Sequence, residues 1–245
     1  MTDELKKHIA SAFDRDLEAI QAQILKMGGL VEAAIHDAAL SLESRDEELA
    51  DKVVAGDKAI DALEELLNDE AAKVIALRGP TARDLRVVLS VMRMASNLER
   101  IGDLSKNMAK RTSVLSQLAQ IEGSATALRR MSRDVELMLK DALDAYIRRD
   151  EALAHDVIDR DRDVDQMYNT LFREFLTFML EDPRNITSCM HLHFIAKNVE
   201  RMGDHVTAIA EQVIFLATGE MPKEDRIKED RTSSDPALSS GADLG

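Results

Sequence analysis

Apolar residues recur every three or four positions through long stretches of this chain, with charged residues between them. This spacing places one apolar stripe along a helix and is typical of helices packed in a bundle. Prolines interrupt the pattern at Pro80 and Pro183 and predict that helices end there. The stripe of the first predicted helix is Phe13, Leu17, Ile20, Ile24, Met27, Val31, Ala34 and Ala38.

Two more long helices are predicted in the first half of the chain. The second helix is expected to begin at a capping box, Ser44-x-x-Glu47, and to end before Pro80. Three long helices joined by short turns predict an up-down-up bundle. The predicted stripes are Leu49, Val53, Gly56, Ile60, Leu63, Leu67, Glu70, Val74 and Leu77 in the second helix, and Val87, Val91, Met94, Leu98, Ile101 and Met108 in the third.

The second half of the chain repeats the first. The segment Asn97-Leu98-Glu99-Arg100-Ile101-Gly102-Asp103 returns 101 residues later as Asn198-Val199-Glu200-Arg201-Met202-Gly203-Asp204, with five of seven positions identical. Before the prolines, Arg45-Asp46-Glu47 matches Arg149-Asp150-Glu151 at a distance of 104 residues. Such self-similarity marks a duplicated structural unit. The predicted fold is therefore all-α, a duplicated three-helix bundle with six long helices in two pseudo-symmetric halves.

The repeat divides the chain into four parts. Residues 1–111 form the first predicted bundle, and residues 125–218 form the second. Residues 112–124 are expected to link them. Residues 219–245 are rich in Ser, Asp, Gly and Pro, which predicts a disordered tail.

Composition narrows the classes of function. The chain has 46 acidic and 32 basic residues and a formal net charge of −14, which disfavours binding to nucleic acid. A single cysteine, Cys189, allows no internal disulfide, and we expect it in the core. No signal peptide and no run of about 18 apolar residues is present, so we expect a cytoplasmic protein without direct membrane insertion.

Acidic residues flank both predicted hairpins at matched distances from the turn. Asp61 and Glu99 each lie 19 residues from Pro80, and Asp57 and Asp103 each lie 23 residues from it. In the second half the corresponding distances from the proline are 22 and 18 residues before it and 17 and 21 after it. Residues equally far from the turn of an antiparallel hairpin lie at about the same height. This predicts one carboxylate cluster in each half, formed by Asp57, Asp61, Glu99 and Asp103 and by Asp161, Asp165, Glu200 and Asp204.

Clustered carboxylates on a half-buried face repel one another unless a proton, a basic side chain or a cation neutralises them. An all-oxygen set suits hard cations such as Mg²⁺, Mn²⁺, Ca²⁺ or iron better than zinc. The alternative is a solvated acidic strip balanced by Lys58, Arg100 and Lys106. Because both copies keep all four carboxylates, we favour two metal sites. His193 and His205 are placed to join or orient the second site, but we favour structural roles for both.

No motif of a known catalytic class is evident. The chain lacks a nucleophile with its base, a glycine-rich phosphate loop and the Glu-x-x-His signature of di-iron bundles. We therefore expect a protein that is not an enzyme. Two alternatives stay open: a carboxylate-bridged metalloenzyme, such as a di-metal oxidase or hydrolase, and a metal-free helical scaffold whose stability does not respond to chelators.

Several short segments together resemble the PhoU family of phosphate-transport accessory proteins. The resemblance covers about residues 4–220 and rests on His8-Ile9 with Phe13, Met27-Gly28-Gly29 with Val31-Glu32, Gly56-Asp57-Lys58, the segment from Pro80 to Arg86, and both Glu-Arg-x-Gly-Asp motifs.

The resemblance implies a cytoplasmic, often dimeric regulator of phosphate uptake and signalling. Such proteins contact the ATPase subunit of the high-affinity phosphate transporter and a membrane sensor histidine kinase, and they repress the phosphate-starvation response. Family members can bind metal clusters through Glu-x-x-x-Asp motifs. By position these are Glu99 with Asp103 and Glu200 with Asp204 in this chain, which agrees with the clusters predicted from spacing.

Overall fold

The computed structural model describes residues 3–222, and within them it contains six α-helices and one short 3₁₀ turn. The all-α fold and the order of three helices followed by three are confirmed for this part of the chain. The elements are α1 (Asp3–Ser44), α2 (Glu47–Arg78), α3 (Ala82–Leu115), α4 (Ser124–Arg148), α5 (Glu151–Glu181), the 3₁₀ turn (Pro183–Asn185) and α6 (Ile186–Thr218).

The connection between the halves is shorter than the segment expected to link them. The last turn of α3 takes up residues 112–115, and α4 already begins at Ser124. Most of the expected tail, residues 223–245, lies outside the described residues. Among residues 3–222, no helix combines the length and the apolar character needed to cross a membrane.

The two halves pack side by side around one continuous hydrophobic core. Helix α1 contacts α4, and α3 contacts α6. Helices α3 and α6 run antiparallel: Asn97 meets His205 near the middle, and Arg111 meets His191 near one end. These are the equivalent helices of the two halves, so both Glu-Arg-x-Gly-Asp motifs lie on one pair of adjacent helices.

Helix α2 begins differently from the predicted capping box. Ser44 belongs to the last turn of α1, because its hydroxyl donates back to the carbonyl of Leu40 at 2.7 Å. Asp46 caps α2 instead and accepts a backbone N–H at 2.9 Å, and Asp150 caps α5 in the same way at 3.0 Å. Arg45 and Arg149 precede these caps with φ of 55° and 53°, in the left-handed region. The repeated Arg-Asp pair is therefore the turn between the helices.

The predicted core stripe of α2 is wrong at two places. Gly56 is exposed, and Leu77, beside the end of the helix, is 78% exposed. The position that faces the core is Asp57, which is only 5% exposed. Asp161, its counterpart in α5, is buried as well. Each half thus places a carboxylate where a helix of this bundle normally presents an apolar side chain.

Candidate metal centre

The first carboxylate cluster lies between α2 and α3. Lys106 Nζ donates to Asp57 Oδ2 at 2.5 Å and to Asp103 Oδ1 at 2.5 Å. The two acids therefore stand opposite each other, which confirms the height predicted from their equal distance to Pro80. Their shared lysine has its pKa raised, first by the hydrogen bonds to Asp103 and Asp57. The ammonium group of Lys106 bridges the two aspartates and contributes positive charge to this cluster.

Asp61 and Glu99 border the same cluster without a strong cationic partner. Asp61 is exposed, but partial desolvation raises its pKa, and the charge of Asp57 raises the pKa further. Burial also raises the pKa of Glu99, with the charge of Asp103 as the next cause. The Arg100 guanidinium lies 3.6 Å from Glu99 but is largely exposed, so solvent screens this pair. Repulsion among the four acids is thus only partly compensated.

One oxygen of Asp57 has no hydrogen-bond partner among the described residues. This atom, Oδ1, is buried, whereas Oδ2 accepts from Lys106. Buried carboxylate oxygens normally accept at least one hydrogen bond, since leaving them without one costs free energy. The free oxygen lies beside the backbone of α3 at Gly102. A positive group beside this oxygen would compensate for the missing hydrogen bond.

The second cluster lies between α5 and α6 and is more deeply buried. Asp161, Asp165 and Glu200 are all buried, and Asp204 is partly exposed. Lys197 Nζ donates to Glu200 Oε1 at 2.9 Å, and the same ammonium lies 4.9 Å from the centre of a tyrosine ring. A lysine therefore contributes positive charge to this cluster too.

The two lysines do not occupy equivalent positions in the repeat. Lys106 follows Asp103 by three residues, and its counterpart in the second half is Thr207. Lys197 precedes Glu200 by three residues, and its counterpart in the first half is Ser96. From the sequence we named Lys106 as a balancing charge for the first cluster, but we did not name Lys197 as one for the second. Lys197 lies three residues before Glu200 on the same helix, and this i, i+3 spacing indicates an ion pair from the sequence alone.

The two histidines considered for the second site make other contacts. The ring of His193 packs among aromatic side chains, with centroid distances of 6.0 Å to Tyr168 and 5.2 Å to Phe172. His205 Nδ1 lies 2.9 Å from Asn97 Oδ1 and so joins the second half to the first motif. Burial lowers the pKa of His205. The structural roles that we favoured for His193 and His205 stay a prediction.

The glycine of each Glu-Arg-x-Gly-Asp motif allows the neighbouring helix to approach closely. A Cβ atom at Gly203 would stand 2.5 Å from Asp161 Oδ1, and one at Gly102 would stand 3.0 Å from Ile60 Cδ1. The role of these glycines escaped the sequence reading, although their presence in both copies was visible. They determine where Asp57 and Asp161 meet α3 and α6.

The structure thus brings the predicted acids into two groups, each contacted by a lysine. Among residues 3–222, no three or more His, Cys, Asp or Glu side chains are placed so that together they hold a metal ion in this conformation. The role of Asp57, Asp61, Glu99, Asp103 and of Asp161, Asp165, Glu200, Asp204 as metal ligands stays a prediction.

Replacing the motif glycines tests this close packing. We expect Gly203→Ala to lower the free energy of unfolding by about 1–3 kcal/mol, because the new methyl group overlaps a buried carboxylate. Gly102→Ala should lower the free energy of unfolding by less, since the Ile60 side chain can shift.

Gly56→Ala is the matched control. Nothing lies within 4 Å of its Cβ position, so this substitution should stabilise the protein by about 0.5–1 kcal/mol. Urea denaturation measures all three, and equal effects at positions 203 and 56 would contradict the packing described.

Comparison with known proteins gives one consistent result. The PhoU domain model matches residues 24–112 and again 128–213. A protein of Rhizobium meliloti named phosphate-specific transport system accessory protein PhoU homolog is 43% identical over 227 residues, covering 93% of this chain and 96% of its own. The homolog of Zymomonas mobilis is 45% identical over 223 residues, covering 91% and 94% of the two chains.

Solved structures agree with these sequence matches. The crystal structure of PhoU from Pseudomonas aeruginosa superposes with a TM-score of 0.82 at 36% identity, covering 85% of this chain and 100% of that one. The phosphate transport system regulatory protein PhoU from Streptococcus pneumoniae superposes with a TM-score of 0.78 at 30% identity, covering 86% and 99%. With both repeats matched by the family model and relatives aligned over nearly their full length, the chain belongs to the PhoU family.

Proposed function

We propose that this protein is a cytoplasmic negative regulator of phosphate uptake and of the phosphate-starvation response. It acts as an adaptor between the ATPase subunit of a high-affinity phosphate transporter and a sensor histidine kinase, as a homodimer. The observation that carries the proposal is the similarity over 93% of the chain to a relative named as a phosphate transport accessory protein. The partners are those implied by the family.

An adaptor needs surfaces rather than a reactive group, and the described side chains fit that requirement. Cys189 is buried in the core, and burial raises the pKa of its thiol, which disfavours a nucleophilic thiolate. His193 is packed among aromatic rings. Lys106 is hydrogen-bonded to two carboxylates, which favours its charged form and disfavours a role as a base.

The adaptor role is tested in a strain from which the gene has been deleted. We expect a reporter of the phosphate-starvation response to be expressed at high external phosphate in that strain, and repression to return when the wild-type protein is supplied. Purified protein should also bind the ATPase subunit and the cytoplasmic part of the kinase in size-exclusion chromatography. A deletion strain that still represses its reporter, with neither partner bound in vitro, would refute the adaptor role.

We further propose that the two carboxylate clusters bind hard metal cations such as Mg²⁺, Mn²⁺ or iron, with zinc a weaker fit. Three features support this. The donors are all oxygen, the pKa values of Asp61 and Glu99 are raised by burial and by neighbouring acids, and a buried oxygen of Asp57 has no hydrogen-bond partner within residues 3–222. A bound cation supplies positive charge that holds α2 to α3 and α5 to α6.

Metal binding is tested by removing ligands from one cluster only. The double variant Glu99→Gln with Asp103→Asn is expected to keep the fold and to lose the metal of the first cluster, because two charged donors become neutral amides. Elemental analysis of protein loaded with Mn²⁺ measures the stoichiometry, and thermal melting with and without chelator measures the stabilisation. The control is Glu65→Gln with Asp69→Asn, a pair with the same spacing on the exposed side of α2.

Each result has a definite meaning for the metal proposal. Loss of metal in the cluster variant but not in the control supports the ligand assignment. Full stoichiometry in both variants would show that Glu99 and Asp103 are not ligands. If the wild-type protein takes up no metal and its melting temperature does not change with chelator, the metal proposal is refuted. The acids are then balanced by their lysine and arginine partners.

A further inference from the structure

Acidic residues are absent from two stretches that pack against each other. Between Leu104 and Ile121 the chain has three basic and no acidic residues, and between Pro183 and Val199 it has two basic residues, two histidines and no acid. The stretches belong to α3 and α6, which meet where Arg111 contacts His191 at 3.1 Å. Lys106, Lys197 and Arg184 are paired with carboxylates, so Lys110 and Arg111, at this end of the α3–α6 pair, are the two bases of these stretches that form no ion pair within residues 3–222.

The same end exposes apolar side chains in a regular row. Ile186, Met190 and Phe194 follow one another at four-residue spacing along α6, and all three are exposed. Val114 on α3 is exposed too, one turn beyond Arg111, whose guanidinium lies 4.6 Å from the centre of the Phe194 ring. These contacts join the two helices into one continuous face. We name it the basic-apolar surface, formed by Lys110, Arg111, Val114, Ile186, Met190 and Phe194.

Two carboxylates at the neighbouring helix ends already have partners. Glu47 accepts a hydrogen bond from Ser116 at 2.6 Å, and Asp182 is paired with Arg184 at 2.7 Å. No ion pair among the described residues includes Lys110 or Arg111, so no carboxylate there neutralises their charge through an ion pair.

The opposite end of the α3–α6 pair does not repeat this arrangement. There the counterparts of Phe194 and Lys110 are Arg93 and Glu211, so an apolar residue and a base are replaced by a base and an acid. Phe215, the counterpart of Val114, is covered by Arg86 at 5.2 Å from its ring centre. The apolar residues Leu85 and Leu89 match Ile186 and Met190, but the combination of Phe194 with Lys110 occurs at one end of the pair and not at the other.

We infer that the basic-apolar surface is a docking site for an acidic amphipathic helix of a protein partner. A row of apolar side chains at helical spacing beside a second helix fits the apolar stripe of an incoming helix. Lys110 and Arg111 then pair with acids flanking that stripe. An anionic membrane is disfavoured as the occupant, because the remaining acidic surface of the protein would be repelled by it. The inference rests on the proposed adaptor function and names the chemistry of one of its partners.

A synthetic peptide tests the surface directly. The probe is a fluorescein-labelled helical peptide of about twenty residues with a leucine stripe flanked by glutamates; a second peptide has lysine at every glutamate position. We expect fluorescence anisotropy to show that the acidic peptide binds the full-length protein at least tenfold more tightly than the basic one. Equal binding of the two peptides, or preference for the basic one, would overturn the inference.

Matched variants locate the bound peptide. Met190→Ser and Lys110→Glu are expected to weaken binding of the acidic peptide at least tenfold, because each removes one component of the surface. Leu89→Ser is the control, since Leu89 is the counterpart of Met190 in the first half and is similarly exposed, at 43% against 38%. All three side chains are exposed, and circular dichroism melting verifies that the fold is kept. A loss of binding in the control as large as in Met190→Ser would also overturn the inference.

Two further measurements separate this inference from its alternatives. Sedimentation with phosphatidylglycerol vesicles that is lost in Met190→Ser, without peptide binding, would assign the surface to membranes and refute a helical partner. If Met190→Ser and Lys110→Glu bind both the transporter ATPase and the kinase as tightly as the wild type does, the docking site is refuted and the adaptor function stays intact. Peptide binding without binding of either protein would instead refute the adaptor function alone.

Discussion

The structure depends on keeping carboxylates at core positions of the bundle. Asp57 in α2 and Asp161 in α5 replace apolar residues on the faces that their helices bury. An isolated charge in such a position costs several kcal/mol, so the surrounding chain must supply positive charge or hydrogen bonds. In the first half Lys106 supplies the positive charge, and its hydrogen bonds to Asp57 and Asp103 join α2 to α3.

Duplication preserved the acids but not their counter-ions. Lys106 and Lys197 come from positions that do not correspond in the repeat, and Lys197 lies three residues before its glutamate while Lys106 lies three after its aspartate. Both halves therefore need a positive charge near the buried acids, but they do not need it at the same position of the repeat. Glycines at 102 and 203 serve the complementary steric need, because they let the acid-bearing helix approach the motif helix.

Much of the fold follows from the sequence because helical geometry is regular. The rise of about 1.5 Å per residue makes height in a hairpin a matter of counting, which is why Asp57 faces Asp103 as predicted. Local patterns failed where neighbouring helices decide the outcome. Asp57 rather than Gly56 faces the core, where it meets Lys106 of α3, and the predicted stripe gave no sign of that contact. The start of α2 differs for a local reason, because Asp46 caps the helix and Ser44 belongs to α1. The clusters and Lys106 could be predicted from spacing, whereas the bridging of Asp57 and Asp103 by that one lysine required the packed structure.

The pairing of Asp57 with Lys106 is the central claim, and a double-mutant cycle tests it most directly. Unfolding free energies are measured for the wild type, Asp57→Asn, Lys106→Met and the double variant. Lys106→Met alone is expected to cost about 2 kcal/mol, less than the roughly 3–5 kcal/mol of a fully buried pair because the lysine keeps some exposure. The double variant should be more stable than Lys106→Met alone. Additive effects, or a Lys106→Met variant as stable as the wild type, would contradict the account.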